Sequence, residues 1–309
     1  MTGLVDIHSH GALGHEFGRD TQGSREAAAH HRATGSDTLV ASIVTAAPAD
    51  LIDRVQVLAA LVADGTLAGI HLEGPFLSDA QRGAHDPVHL TDPDTALVDL
   101  MVQSAAEAGA PSAIRQLTFA PERPGSADLV RTLVAHGIRP AVGHTNADSA
   151  LVSRFLADVA ARQGFPAHVT HLFNGMPPFH HRAGGPVAAS LAAAARGEAV
   201  VELITDGVHV APDVVRMVFE TIGPDAVVLV SDAMAATGLG DGFYRLGSLD
   251  VVVVAGTSRL VSTGSIAGST STLADCLRWA VDVARVDPTD ALRAATRTPA
   301  HAMGIEATA

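Results

Sequence analysis

The residues that could do chemistry sit in a few short runs. In Val5-Asp6-Ile7-His8-Ser9-His10-Gly11 two histidines are spaced i and i+2. In a strand those positions share a face, so two imidazoles aim at one point, as in strand-borne divalent metal sites. Downstream, Glu73 lies in His71-Leu72-Glu73-Gly74-Pro75, His144 in Gly143-His144-Thr145 and His171 in Thr170-His171-Leu172-Phe173-Asn174. His209 closes Asp206-Gly207-Val208-His209, and Asp232 lies in Ser231-Asp232-Ala233-Met234. Glu73, His144 and His171 form an oxygen–nitrogen–nitrogen ligand set, and His8 with His10 can complete a second. Nitrogen and carboxylate ligands without thiolate suit Zn²⁺, with Fe²⁺ or Mn²⁺ as alternatives, as one ion or two. All 20 basic residues of the Lys+Arg count are arginine. No lysine can therefore bridge two ions or form a Schiff base, and Glu73 is the plausible bridge. Water on such an ion has its pKa drawn toward neutrality. Asp232 is placed to take its proton and return it to a leaving amine. The sum is hydrolysis of an amide-like bond.

Eight β-branched runs position these residues: near Leu4–His10, Thr38–Val44, Ala68–Glu73, Arg115–Ala120, Pro140–His144, His168–Phe173, Val200–Thr205 and Val227–Ser231. Ala- and Leu-rich helical patterns separate them, about Ser24–Thr34, Asp50–Asp64, Pro93–Gly109, Ala127–His136, Ala147–Gln163, Pro186–Arg196 and Pro212–Ile222, with a last near Ser269–Ala284. Asp92 and Asn146 read as helix caps. Eight strand–helix units predict an α/β fold, a (β/α)₈ TIM-type barrel, with every chemical residue at the C-terminal end of its strand. A doubly wound open sheet would want a Gly-rich phosphate loop after the first strand, where His-Ser-His-Gly stands instead. The expectation is a single barrel domain over 1–309 with a small antiparallel excursion at about 242–264.

Composition narrows the class further. The 47% hydrophobic content fits strands buried on both faces. No apolar window approaches the roughly 18 residues of a membrane span, and no basic leader precedes an apolar core; a cytoplasmic location is expected. A net charge of −13 argues against nucleic-acid binding. Cys276, the only cysteine, excludes an intrachain disulfide and reads as a buried small residue.

Taken together with Gly83-Ala84-His85-Asp86-Pro87 and Asn174-Gly175-Met176, these runs resemble the N-acetylglucosamine-6-phosphate deacetylases of the amidohydrolase superfamily, in order and over nearly the whole chain. Gly264–Ser271 is similar to that family's late Gly/Ser-rich turn. The resemblance implies release of acetate from N-acetylglucosamine 6-phosphate. Glu73, His144 and His171 would be the main metal ligands and Asp232 the general acid/base. His85 would polarise the acetyl carbonyl, while Asn174, Gly175, Arg182 and His209 hold the sugar phosphate, part of that site coming from a homodimer partner. An Arg-plus-His phosphate pocket is chemically sensible, since the guanidinium fork matches phosphate geometry. The pattern departs in places. Alanine is frequent in the family at Gly175, a change expected to alter loop stiffness more than chemistry. The family's small β-sandwich domain is expected to be missing or truncated.

Two other readings stay open: an amidohydrolase acting on another N-acylated small molecule, and a truncated relic that binds sugar phosphate without turnover. The remaining histidines read more plainly. His71 faces the same way as Glu73 and is expected to be a core residue or to support the ligands. His30, His31, His89, His136 and His301 read as packing or surface residues, His15 and Glu16 as a loop. His180 and His181 flank Arg182 and could assist it, and Asp206 could support His209.

Overall fold

The computed structural model describes residues 3–305. Eight parallel strands, β1 (Val5–Ser9), β2 (Thr38–Val44), β3 (Gly69–Glu73), β4 (Ile114–Phe119), β5 (Arg139–Val142), β6 (Ala167–Val169), β7 (Ala199–Ile204) and β8 (Val227–Val230), pair in sequence order. The loop after β8 closes the ring onto β1. Asp232 N–H donates to His8 O at 2.9 Å and His10 N–H to Ala233 O at 2.6 Å, while Ser231 Oγ donates to the buried Asp6 carboxylate at 2.6 Å. A closed (β/α)₈ barrel is the result.

Ten α-helices follow in chain order among the described residues: α1 (Thr21–Ala33), α2 (Pro48–Ala63), α3 (Thr95–Glu107), α4 (Ser126–Ala135), α5 (Ser149–Gln163), α6 (Gly185–Ala195), α7 (Pro212–Ile222), α8 (Leu273–Asp282), α9 (Pro288–Ala294) and α10 (Arg297–Met303). Their apolar faces and the outer faces of the strands share one large core, including Leu58, Leu72, Met101, Leu117, Leu133, Leu156 and Val218. The sequence did not point to α9 or α10, short helices of only two turns each. Two cap assignments also shift. Asp94, not Asp92, caps α3 by accepting from Ala96 N at 2.9 Å; Asp92 is engaged by Arg123 Nη1 at 3.3 Å. Asp148, not Asn146, caps α5 through Leu151 N at 2.8 Å, because Asn146 N is bound to Glu122 Oε1 at 2.6 Å.

Inside the barrel the i, i+2 rule builds a polar column rather than an apolar one. Low in the column, His168 Nδ1 meets Gln116 Oε1 at 2.7 Å and Gln116 Nε2 donates to Glu202 Oε1 at 2.9 Å. Above them His71 lies between Ser42 Oγ at 2.9 Å and Thr118 Oγ1 at 2.7 Å. These groups are fully buried and mutually bonded, which is what makes a polar interior tolerable. After β8 an antiparallel sheet, β9 (Gly242–Leu246), β10 (Leu249–Val254) and β11 (Thr257–Leu260), packs Leu246, Val251, Val253 and Leu260 on Val44 and Met234. Among the described residues no helix is long and apolar enough to cross a membrane.

Candidate metal centre and active site

At the C-terminal mouth of the barrel the ligand candidates fall into two buried groups: His8, His10 and Asp232, and Glu73, His144 and His171. Glu73 joins them. Its Oε1 lies 2.7 Å from His171 Nε2 and 3.1 Å from His144 Nε2. Its Oε2 lies 3.2 Å from His10 Nε2 and 3.7 Å from His8 Nε2. Asp232 Oδ1 stands 3.2 Å from His10 Nε2 and 3.4 Å from His8 Nε2.

Tautomers follow from the far side of each ring. His8 Nδ1 donates to Glu202 Oε2 at 2.9 Å, and His144 Nδ1 donates to Gln81 O at 2.8 Å. In the neutral ring Nε2 is then a bare lone pair aimed inward. The Nε2 atoms of His8 and His10 are only 3.1 Å apart, as are those of His144 and His171. Lone pairs that close, beside two carboxylates, require positive charge among them. Protons supply it in part. Burial works against a charged His10, yet its bonds to Asp232 and Glu73 push its pKa up to about 9. His8 is likewise held well above its usual value, against burial, by Glu73 and Glu202. Burial would raise the Glu73 pKa, but His85 and His8 hold it well below the usual range. Asp232 is kept ionised in the same way by His10 and His8. A divalent cation answers the same demand while displacing those protons, so the donor set fits one.

Local backbone places these groups in two ways. His8 and Glu73 sit within strands, His8 where the pairing of β1 with β2 shifts register between Asp6 and Ser9. His144, His171 and Asp232 lie just beyond strand ends with φ of 45°, 25° and 49°. Left-handed backbone at such residues costs about 1–3 kcal/mol each and persists where surroundings impose it. It also explains why β6 stops at Val169 instead of running to Phe173. Gly175, at φ 60°, packs against His144; an added Cβ would fall 2.6 Å from its Nδ1. A side chain at this position would therefore press on a candidate ligand as well as stiffen the loop.

A cavity of about 220 Å³ opens over the metal groups, lined by His85, Asn174, Gly175, His209 and Asp232 among others. Thr45 N–H, which can only donate, lies 3.4 Å from His85 Nδ1, with Thr45 Oγ1 at 2.9 Å. The proton of His85 then stands on Nε2, which faces Glu73 Oε2 at 3.4 Å. Burial drops its pKa to about 4, leaving a neutral donor in the cavity. His209 Nδ1 donates to Asp206 Oδ2 at 2.8 Å; burial opposes its charge, but Asp206 raises its pKa. Arg182 stands apart, exposed, with Nη1 2.7 Å from His181 Nε2, and does not line this cavity. His71 is outside both groups, its ring edge-on to His8 with centroids 4.5 Å apart.

Sequence reasoning missed Glu202 and Thr45. Glu202 had a signal: a lone carboxylate in Val200-Val201-Glu202-Leu203-Ile204 cannot be buried unpaired. Thr45 had none.

A barrel whose mouth gathers two histidine–carboxylate groups around a shared glutamate defines a metal-dependent hydrolase. A family model described as "Amidohydrolase family" matches residues 1–309, and the chain belongs to that family. It is 34% identical to the N-acetylglucosamine-6-phosphate deacetylase of Vibrio furnissii over 316 residues, covering 99% of this chain and 74% of the relative. It is 32% identical to that of Bacillus subtilis, covering 99% and 75%. The solved D267A mutant of N-acetyl-D-glucosamine-6-phosphate deacetylase from Mycobacterium smegmatis, in complex with N-acetyl-D-glucosamine-6-phosphate, superposes with a TM-score of 0.90. Its sequence identity is 42%, covering 99% of this chain and 78% of that one.

Proposed function

We propose that the chain is a cytoplasmic, metal-dependent deacetylase that hydrolyses N-acetylglucosamine 6-phosphate to glucosamine 6-phosphate and acetate. The observation that carries this reading is Glu73: each of its oxygens faces one histidine group, while Asp232 and His85 border the same cavity. Glu73, His144 and His171, with His8, His10 and Asp232, would hold one or two divalent ions, Zn²⁺ foremost. A bound ion supplies Lewis acidity and acidifies water at neutral pH.

The chain's own groups do the rest. His85 Nε2–H donates to the acetyl oxygen and stabilises the charge that develops there. Asp232, ionised, accepts a proton from the attacking water. It then returns that proton to the amine nitrogen as the C–N bond breaks, a C–O bond having formed. His209, biased toward its charged form, and the Asn174–Gly175 segment receive the phosphate. Arg182 does not line this cavity, and its part is assigned to the phosphate in the site of a second copy, in a homodimer.

Acetate release from N-acetylglucosamine 6-phosphate is the test, run after loading with Zn²⁺, Fe²⁺ or Mn²⁺ beside unphosphorylated N-acetylglucosamine. Strong preference for the phosphorylated substrate is expected. Equal turnover of both would transfer the reading to another N-acylated substrate. Metal uptake with no turnover of either would leave a binding relic.

A further inference from the structure

A second, larger cavity of about 780 Å³ opens between the loop after β1, the helix α2 and the β9–β10 turn. It shares no lining residue with the active-site cavity. Its inner wall is Arg54, whose side chain is only 6% exposed. A guanidinium carries five donors and a permanent charge, and burying it without acceptors is costly. Among the described residues the Arg54 guanidinium makes no hydrogen bond; the nearest carboxylate oxygen, Glu16 Oε2, stays 3.9 Å away.

Glu16 is already committed. Its Oε2 accepts from Arg19 Nε at 2.7 Å and its Oε1 from Gly247 N at 2.5 Å. The other carboxylates are no better placed. Asp20 caps α1 through Gly23 N at 2.7 Å, Asp50 is exposed, and Asp250 pairs with Arg245 at the solvent rim at 3.7 Å. The buried Arg54 guanidinium thus meets one carboxylate, at 3.9 Å, whose oxygens already accept from Gly247 N and from the largely exposed Arg19. Burial, and after it the charge of Arg19, pull the Arg54 pKa below its ordinary value, and Glu16 and Asp50 offset them only in part.

We propose that this cavity is a second binding site, for a small oxyanion such as a phosphate monoester or carboxylate, seated on the fork of Arg54. An oxyanion offers two acceptor atoms at the spacing of that fork and supplies the missing negative charge. The proposal does not rest on the reaction assigned to the metal centre, although Thr45, which lines this cavity, also meets His85.

Metal-loaded protein is titrated with inorganic phosphate and, separately, with acetate, following Tm and heat of binding. Wild type, Arg54→Gln and His209→Asn are compared. The site predicts saturable binding that survives in His209→Asn and weakens roughly tenfold or more in Arg54→Gln. The anion bound more tightly identifies the class. Undiminished binding in Arg54→Gln, or no binding by wild type, overturns the proposal. Should Arg54→Gln fail to fold, a phosphate-soaked wild-type crystal decides. Phosphate oxygen within about 3.2 Å of the guanidinium supports the site, and water alone there overturns it.

Discussion

In the half of the metal centre drawn from β1 and the end of β8, His8 is backed by a buried carboxylate, Glu202, which also receives Gln116 and His171 N–H. In the half drawn from β3, β5 and β6, His144 is backed by a carbonyl, Gln81 O; the second ring of each half, His10 or His171, has its Nδ1 buried without a partner. A carbonyl fixes a ring's orientation. A carboxylate also strengthens the imidazole as a donor and adds negative charge behind it. The first half therefore gathers Asp232, Glu202 and one oxygen of Glu73 around two histidines, the second only the other oxygen of Glu73. One centre thus joins a charge-rich group that includes the proton-carrying Asp232 to a leaner group, and strained backbone serves both, at Asp232 in the first and at His144 and His171 in the second.

Glu73→Gln should do most damage, since it touches both halves. Loss of several kcal/mol of metal-based stabilisation, roughly 10³-fold or more in kcat, is expected, with bound metal falling on elemental analysis. Full metal content in this variant would break the idea of a shared ligand. Asp232→Asn should lower kcat by about 10²–10⁴-fold while the Glu73, His144 and His171 group keeps its metal. Loss of all metal would erase the distinction between the halves. Glu202→Gln should weaken metal affinity about 10–100-fold at the His8/His10 group alone; titration by calorimetry should show one affinity change and the other persist. His209→Asn touches neither half. It should raise KM for the phosphorylated substrate about tenfold or more and leave that for the unphosphorylated analogue nearly unchanged.

The smallest effect concerns a buried histidine of the scaffold. His31 Nε2 meets Ser9 Oγ and Gly11 O, each at 3.1 Å, and its Nδ1 has no partner. Burial lowers its pKa to about 4 from 6.5. A depressed folded-state pKa means its contribution to stability is complete above pH 6.5 and declines as pH falls toward 4, by at most about 3 kcal/mol. Unfolding across that range should show His31→Gln with a flatter acid limb than wild type. An unchanged slope would remove the contrast between histidines that collect charge at the mouth and those that exclude it.

Much of this was legible from residue order. His8 and His10 declare themselves by i, i+2 spacing, and Glu73, His144, His171, His209 and Asp232 by recurring where βα units end. The strands fared well because both of their faces are buried. Helix caps fared worse, because Asp92, Asp94, Asn146 and Asp148 are chemically alike and only their tertiary partners choose among them. Arg182 shows the opposite limit: the family resemblance implied a phosphate contact, and one chain by itself leaves it in solvent.

The sequence by itself determined the barrel, through alternating β-branched and Ala-rich stretches, and the donor types at its mouth, since the absence of lysine and isolated Cys276 left histidine and carboxylate. Only the tertiary structure decided which nitrogen of each ring faces inward, that Glu73 divides its oxygens between two groups, and that Glu202 braces His8 from 194 positions away. Those outcomes depend on hydrogen-bond geometry across the barrel interior. Such geometry arises only when closure of the ring brings distant strands within 3 Å or so of one another.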